Sequence, residues 1–405
     1  MSTNLTQNER VVSGMRPTGS LHLGHYHGVI KNWVEMQLNY ECFFFVADWH
    51  ALTTHYEDPS DTPNHVEDMV IDWLAAGLNP SSATIFLQSK VPEHAELHLL
   101  LSMMTPIGWL ERVPTYKDQQ AKLRELDLAT YGFLGYPLLQ SADILMYKAD
   151  FVPVGEDQVS HIELTREIAR RFNHLYGRAP DFEKRAEEAI AKMGKKNAKA
   201  YRNYRKAYQE QGDAEALGVG QALLESQQNI SVGDKERLFG YLEGNSIIIL
   251  PEPQARLTPA SKMPGLDGQK MSKSYKNTIA LREKPADVEK KLRTMPTDPA
   301  RVRLTDPGDP AKCPVWQLHE VYSDYKIKDW VIQGCKSAGI GCLECKQPII
   351  DSVIAELAPM RERAEEFEQD RQLVRDIISN GSEAARDVAR ETLDDVVEAM
   401  RFART

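Results

Sequence analysis

Short apolar runs alternate with segments of helical periodicity through the first half of the chain. Residues 42–47 (CFFFVA), 83–88 and 151–154 read as buried strands, each a brief, nearly unbroken apolar run. Residues 26–37 and 66–77 carry apolar positions at helical spacing, the second ending on Gly77, and residues 144–147 close another helix before the third strand. This alternation predicts βαβ units on a parallel sheet, with ligands gathered at the carboxyl ends of the strands. Near Gly177 the pattern changes, and residues 181–245 are helix-prone, hydrophilic and poor in strand signals. The run 247–250 (IIIL) restores strand character, so the stretch before it reads as an insertion into the sheet domain. From about Pro296 the chain is helical again. Ile350, Val353, Ile354 and Leu357 mark one apolar face and Leu393, Val396, Val397 and Met400 another, with Asn380-Gly381 expected to break the two.

At 405 residues and 45.9 kDa the chain is long enough for two or three domains with real cores. A net charge of -10 and a pI of 5.7 advertise no global affinity for nucleic acid, although a local basic surface suffices for RNA in a large acidic protein. Residues 184–206 hold nine basic and two acidic side chains, which fits either a solvated helix face or an RNA contact. The polar start, residues 1–10, reads as a short disordered lead without a signal-peptide core, and no apolar run approaches a membrane span. A cytoplasmic location with reduced cysteines is the expectation.

Residues 22–25 read HLGH and residues 270–274 read KMSKS. The first follows a Gly- and Pro-containing turn and opens a helix, whose free N–H groups and partial positive charge suit a phosphate. His22 and His25 lie three apart on one helical face, and Gly24 puts no side chain between them, so an adenine nucleotide can pack against backbone. Lys270 and Lys273 sit on a loop after the run 264–268 (PGLDG), and two ammonium groups there suit charge arriving on leaving pyrophosphate. Either motif alone is weak, being a turn with incidental histidines or a solvated basic loop. Together, in this order, they point to chemistry at the α-phosphate of ATP, and the chain resembles the class I aminoacyl-tRNA synthetases.

Tyr136, Gln140 and Asp143 share one helix face. A carboxylate beside Ile144, Leu145 and Met146 needs a donor, which an indole N–H supplies; a helix cap or surface aspartate is the other reading. Residues 152–158 (VPVGEDQ) end a strand on Gly155 and lead into 161–169 (HIELTREIA). With 48–53 (DWHALT), these segments resemble tryptophanyl-tRNA synthetase over residues 11–177 and 246–295. The resemblance implies a Rossmann-like α/β catalytic domain in two parts, residues 1–180 and 246–295, a helical insertion at 181–245, and an all-α anticodon-binding domain at 296–405. It implies that Asp143 takes the indole N–H, bordered by Tyr136, Gln140, Gln158 and His50. Arg16, Pro17, Thr18, Gly24, His25, Gly155, Glu156, Asp157 and Leu257 would line ATP, and Lys270, Met271, Ser272, Lys273 and Ser274 the triphosphate. His22, His25, Lys270 and Lys273, with Mg²⁺, would stabilise the spreading phosphate charge. L-tryptophan, tRNA(Trp) and a second copy in a homodimer are the implied partners. Gln140 departs from the Met of many bacterial members and gives a YxxQxxD pattern familiar from tyrosyl-tRNA synthetase; the compact bacterial form lacks the insertion.

Cys313, Cys335, Cys342 and Cys345 follow one another with 21, 6 and 2 residues between them, while Cys42 stands apart in a strand. Clustered cysteines in a reducing compartment point to a metal before a disulfide. One CxxC pair with two isolated cysteines favours [4Fe-4S] over structural zinc, with free thiols the remaining reading. A subset of tryptophanyl-tRNA synthetases carries a similar [4Fe-4S] pattern. Lying after KMSKS in a helical module, the site is expected to support tRNA docking and leave adenylate formation alone. Tyrosyl-tRNA synthetase, a small-molecule nucleotidyltransferase and a non-catalytic paralogue are the competing readings of the whole chain.

Overall fold

The computed structural model describes residues 9–114, 130–177, 182–244, 248–257 and 263–401. Five parallel strands, β1 (Arg10–Met15), β2 (Glu41–Val46), β3 (Ala83–Leu87), β4 (Phe151–Val154) and β5 (Gln254–Leu257), form one sheet in the order β3-β2-β1-β4-β5. The apolar run of β2 is explained by burial on both faces. Cys42, Phe44 and Val46 enter one core, and Phe43, Phe45 and Ala47 enter the other. From β1 the chain moves outward to β2 and β3, then returns to β4 and β5 on the opposite side. The strand order therefore reverses between β1 and β4, and a crevice opens at their carboxyl ends.

Two expectations change. The strand foreseen at 247–250 lies instead at Gln254–Leu257; Ile247 falls outside the described residues. Ile249 and Leu250 are held as irregular chain because Asn173 Oδ1 accepts both of their N–H groups, at 3.0 and 3.1 Å, and its Nδ2 donates to the Leu250 carbonyl at 2.7 Å. Nor does Asn380-Gly381 break a helix, since Arg371–Met400 runs through it. Gly381 lies where that helix crosses β3. A Cβ there would overlap the carbonyl oxygen of Ile85 and lie 2.8 Å from its carbonyl carbon, so the glycine serves close approach. The break falls at Asp370, whose side chain caps the following helix by accepting the Leu373 N–H at 3.1 Å.

Both long C-terminal helices help to build the sheet cores. Ile349, Ile350, Val353 and Leu357 of Cys342–Gln369 join the core of Trp33 and Trp73, while Ala385, Ala389, Leu393 and Val396 of Arg371–Met400 join that of Phe86, Leu97 and Tyr147. The helices Phe182–Lys192, Gly194–Gln211, Ala214–Glu225 and Val232–Glu243 instead pack around their own core of Ile190, Tyr201, Leu224, Leu238 and Leu242. On their basic stretch Lys195, Lys196 and Lys199 are exposed, whereas Arg202 pairs with Glu187 at 2.5 Å. Among the described residues no helix is long and apolar enough to cross a membrane.

Candidate active site

Beyond β1 the chain turns through Arg16, Pro17 and Thr18, with the Thr18 N–H donating to the Arg16 carbonyl at 2.9 Å, and passes Gly19 at φ +95° before the helix Leu23–His25. His22 caps that helix: its Nδ1 accepts the Gly24 N–H at 3.1 Å, and His25 Nδ1 accepts the His22 N–H at 3.3 Å. Because each Nδ1 accepts, each Nε2 carries the proton and can donate. Burial lowers the His22 ring to about 4, aided by the charge on Lys273. It lowers His25 to about 3, with His22, Lys273 and Lys270 adding to the effect. The two rings, 3.8 Å apart, are thus neutral donors at neutral pH. A Cβ on Gly24 would lie 2.9 Å from the His22 ring and 3.4 Å from Met271 Cβ.

The second motif is knitted to the first by backbone. The Leu23 N–H donates to the Ile279 carbonyl at 3.0 Å and the Leu281 N–H to the Leu21 carbonyl at 3.1 Å, with His22 and Ala280 paired between them. Lys273 reaches across to the carbonyls of Thr18 (3.0 Å) and Gly19 (2.8 Å), and burial lowers its ammonium to about 8 against the opposing pull of Asp72. Lys270 is exposed and Ser272 half-buried. Met271 is buried in the core, which leaves only its backbone for a nucleotide. The side chain of Ser274 lies outside the described residues. Asn277 organises the loop: its Oδ1 accepts the Ser272 N–H at 2.7 Å, and its Nδ2 donates to Asp267 at 2.7 Å and to the Lys270 carbonyl at 3.2 Å.

Between the two halves of the sheet lies a cavity of about 410 Å³, lined by Arg16, His25, His50, Tyr136, Gln140, Asp143, Gly155 and Gln158 among others. Asp143 is buried at its floor. Oδ1 accepts from His94 Nδ1 at 2.6 Å and Gln88 Nε2 at 2.8 Å, and Oδ2 from His50 Nε2 at 2.7 Å. Burial alone would raise its carboxyl, but the bonds from His50 and His94 outweigh burial and hold it below the ordinary range, so the group is ionised and accepts only. A carboxylate oxygen has two lone-pair directions, which leaves Oδ2 room for another donor. Glu156 and Asp157 are exposed on the turn after Gly155, and Leu257, 57% exposed, stands level with Val154 in the β4–β5 register.

Several functional candidates escape the sequence. His161 lines the cavity and contacts the Tyr136 hydroxyl at 3.1 Å. His94 and Gln88 stand behind Asp143. Asp72, buried, accepts the Leu21 N–H at 2.9 Å and Arg282 Nε at 2.6 Å, tying the approach to HLGH to the chain after KMSKS. The available signals were an acid inside the apolar run 69–76 for Asp72 and, for His161, its place at the head of the segment 161–169.

The four C-terminal cysteines come within electrostatic reach of one another: burial pushes the Cys345 thiol up to about 12, and Cys313, Cys335 and Cys342 add to the shift. His319 Nε2 lies 3.3 Å from Cys345 Sγ and Arg301 Nη1 3.9 Å from Cys335 Sγ, while Arg301 Nε is buried without a hydrogen-bond partner. Among the described residues no three His, Cys, Asp or Glu side chains are placed to hold a single metal ion. Four gathered thiols form a donor set whose chemistry suits a thiolate-ligated metal group.

The chain matches the family described as tRNA synthetases class I (W and Y) over residues 3–199 and 227–358. It is 67% identical over 392 residues to the tryptophan–tRNA ligase of Ralstonia nicotianae, covering 97% of this chain and 98% of that one. To the tryptophan–tRNA ligase of Thermotoga maritima it is 43% identical over 396 residues, covering 97% and 99%. Among solved structures, the tryptophanyl-tRNA synthetase of Campylobacter jejuni, complexed with ADP and tryptophan, matches with a TM-score of 0.72 at 27% identity over 97% of this chain and 100% of that one. This chain belongs to the class I tRNA synthetases of the tryptophan and tyrosine family.

Proposed function

We infer that the chain is a tryptophan–tRNA ligase, which activates L-tryptophan with ATP and transfers it to tRNA(Trp). The observation that carries this reading is a single cavity with an ionised, buried carboxylate at its floor and the HLGH helix at its mouth. Asp143 is the acceptor for the indole N–H, with His50, Tyr136, Gln140 and Gln158 along the ring. The tryptophan carboxylate attacks the α-phosphorus of ATP in line, forming the adenylate as the bond to pyrophosphate breaks. His22 and His25 offer neutral Nε2–H donors to the phosphate oxygens, and Lys270 and Lys273 meet the charge gathering on pyrophosphate. Arg16, Pro17, Thr18, Gly24, Gly155, Glu156, Asp157 and Leu257 frame the nucleotide, and the backbone of residues 270–274 its phosphates. Mg²⁺ fits as a companion of the triphosphate, since such ions are held largely by substrate phosphates and water. The 2′-hydroxyl of the terminal tRNA adenosine then attacks the carbonyl carbon of the adenylate and releases AMP.

To the same reading belong a catalytic domain of residues 1–180 and 246–295, an insertion at 181–245, an anticodon-binding domain at 296–405, a homodimer and a cytoplasmic location. Cys313, Cys335, Cys342 and Cys345 hold a structural [4Fe-4S] cluster, with zinc the alternative; one CxxC pair with two isolated cysteines supports the choice. Exchange of labelled pyrophosphate into ATP, run with each of the twenty amino acids, tests the activity. Exchange confined to tryptophan is expected, and equal exchange with tyrosine would overturn the specificity.

A further inference from the structure

The helix Pro314–Tyr322 touches the segments flanking both ATP motifs from outside the cavity. At its first turn Pro314 meets Gly268, in the turn that leads into KMSKS. Gly268 has φ +81°, and a Cβ there would lie 2.7 Å from Pro314 Cβ and 3.4 Å from its Cα. At the other end the Tyr322 hydroxyl donates to Glu356 Oε2 at 2.8 Å. The same carboxylate oxygen contacts His27 Nε2 at 3.0 Å, and His27 lies 3.2 Å from the Tyr322 hydroxyl. Burial, and then the Glu356 charge, raise the Tyr322 phenol, which therefore keeps its proton and acts as the donor.

His27 stands two residues past His25 in the π-turn Tyr26–Ile30 that continues the HLGH helix. Such a turn is rare and occurs mostly as a single turn at functional sites, where surrounding contacts can hold it. The His27–Glu356–Tyr322 cluster, largely buried at 11% and 23% exposure for His27 and Glu356, is such a contact. Because Pro314 and Tyr322 belong to one nine-residue helix, a displacement at either end is felt at the other.

We propose that Tyr322 is a positioning residue for adenylate formation, and that the helix Pro314–Tyr322 sets the placement of HLGH relative to KMSKS. The proposal rests on the ligase reading. It concerns the step in which both motifs close on the triphosphate, and not the pocket for the amino-acid side chain.

Tyr322→Phe keeps the ring and removes the donor. In tryptophan-dependent pyrophosphate exchange it is expected to lower kcat by about tenfold and raise KM for ATP, with KM for tryptophan unchanged. Gly268→Ala, acting from the other end, should do the same, and the double variant should lose less than the product of the two effects. If Tyr322→Phe fails to fold, Glu356→Gln is read by the same criteria. Unchanged kcat and KM for ATP in a folded variant overturn the proposal, as does a loss shared equally by tryptophan KM and thermal midpoint. No exchange with tryptophan in the unaltered chain counts against the ligase reading instead; full exchange indifferent to Tyr322→Phe counts against the positioning role alone.

Discussion

Lys273 gives the reaction a pH limit on its alkaline side. Its ammonium is lowered to about 8, so the charge is present below that pH and lost above it, whereas an unperturbed lysine would hold it beyond 10. Since kcat/KM reports the free enzyme, kcat/KM for ATP is expected to fall with a single inflection near 8. Lys273→Arg, which stays charged, should abolish that inflection whatever its effect on rate. His22 and His25, at about 4 and 3, predict no acidic limb between pH 5 and 7 from these rings. At the floor of the cavity, Asp143→Asn replaces a charged acceptor that three protein donors also use. Loss of one charge-assisted bond, roughly 1.5–3 kcal/mol, predicts a 10- to 150-fold rise in KM for tryptophan with KM for ATP nearly unchanged. Steady-state exchange kinetics check both. That Asp143, His22 and Lys273 would stand at the candidate site was legible because each belongs to a short motif with a chemical reason. His94 and Asn277 were not, because what they do depends on partners 49 and 5 to 10 residues away, a relation with no period in sequence.

Among the elements, the apolar runs buried within the sheet were read correctly, whereas the edge strand and the apolar run 247–250, both settled by tertiary contact, were not. β2 announces itself because it is buried on both faces. β5 is an edge strand reading Gln-Ala-Arg-Leu, and the more apolar run 247–250 is captured as irregular chain by Asn173. Gly381 misleads for a related reason: glycine within a helical pattern means either a stop or a close neighbour, and only the fold reveals Ile85. Gly381→Ala tests this. Alanine favours a helix by about 1 kcal/mol over glycine, so a gain in stability would result if the position faced open space. The overlap with the Ile85 carbonyl predicts instead a net loss of about 2 kcal/mol in urea unfolding.

For the whole molecule, the cysteine site proves less remote from the catalytic sheet than its sequence position suggests. Cys313 immediately precedes Pro314, the helix residue that abuts Gly268, and Cys345 lies on a helix that shares the core of Trp33 and Trp73. Separate effects on docking and adenylation are therefore not expected. Anaerobically purified protein should be brown, and Cys342→Ser should bleach it, lower the thermal midpoint and reduce exchange together with tRNA charging. A colourless preparation holding one zinc per chain would remove the iron assignment, and undiminished exchange would show the two regions to be independent. The helix Arg371–Met400 has a consequence for synthesis on the ribosome. It covers β3 and supplies six core residues to the two sides of the sheet, yet it is made about 285 residues after that strand emerges. Until then the nascent sheet keeps an uncovered edge and an unfilled face, which favour holding by chaperones over activity. A polypeptide interrupted before this helix would keep that face bare and be destined for degradation, not act as a half-competent enzyme releasing adenylate without charging tRNA.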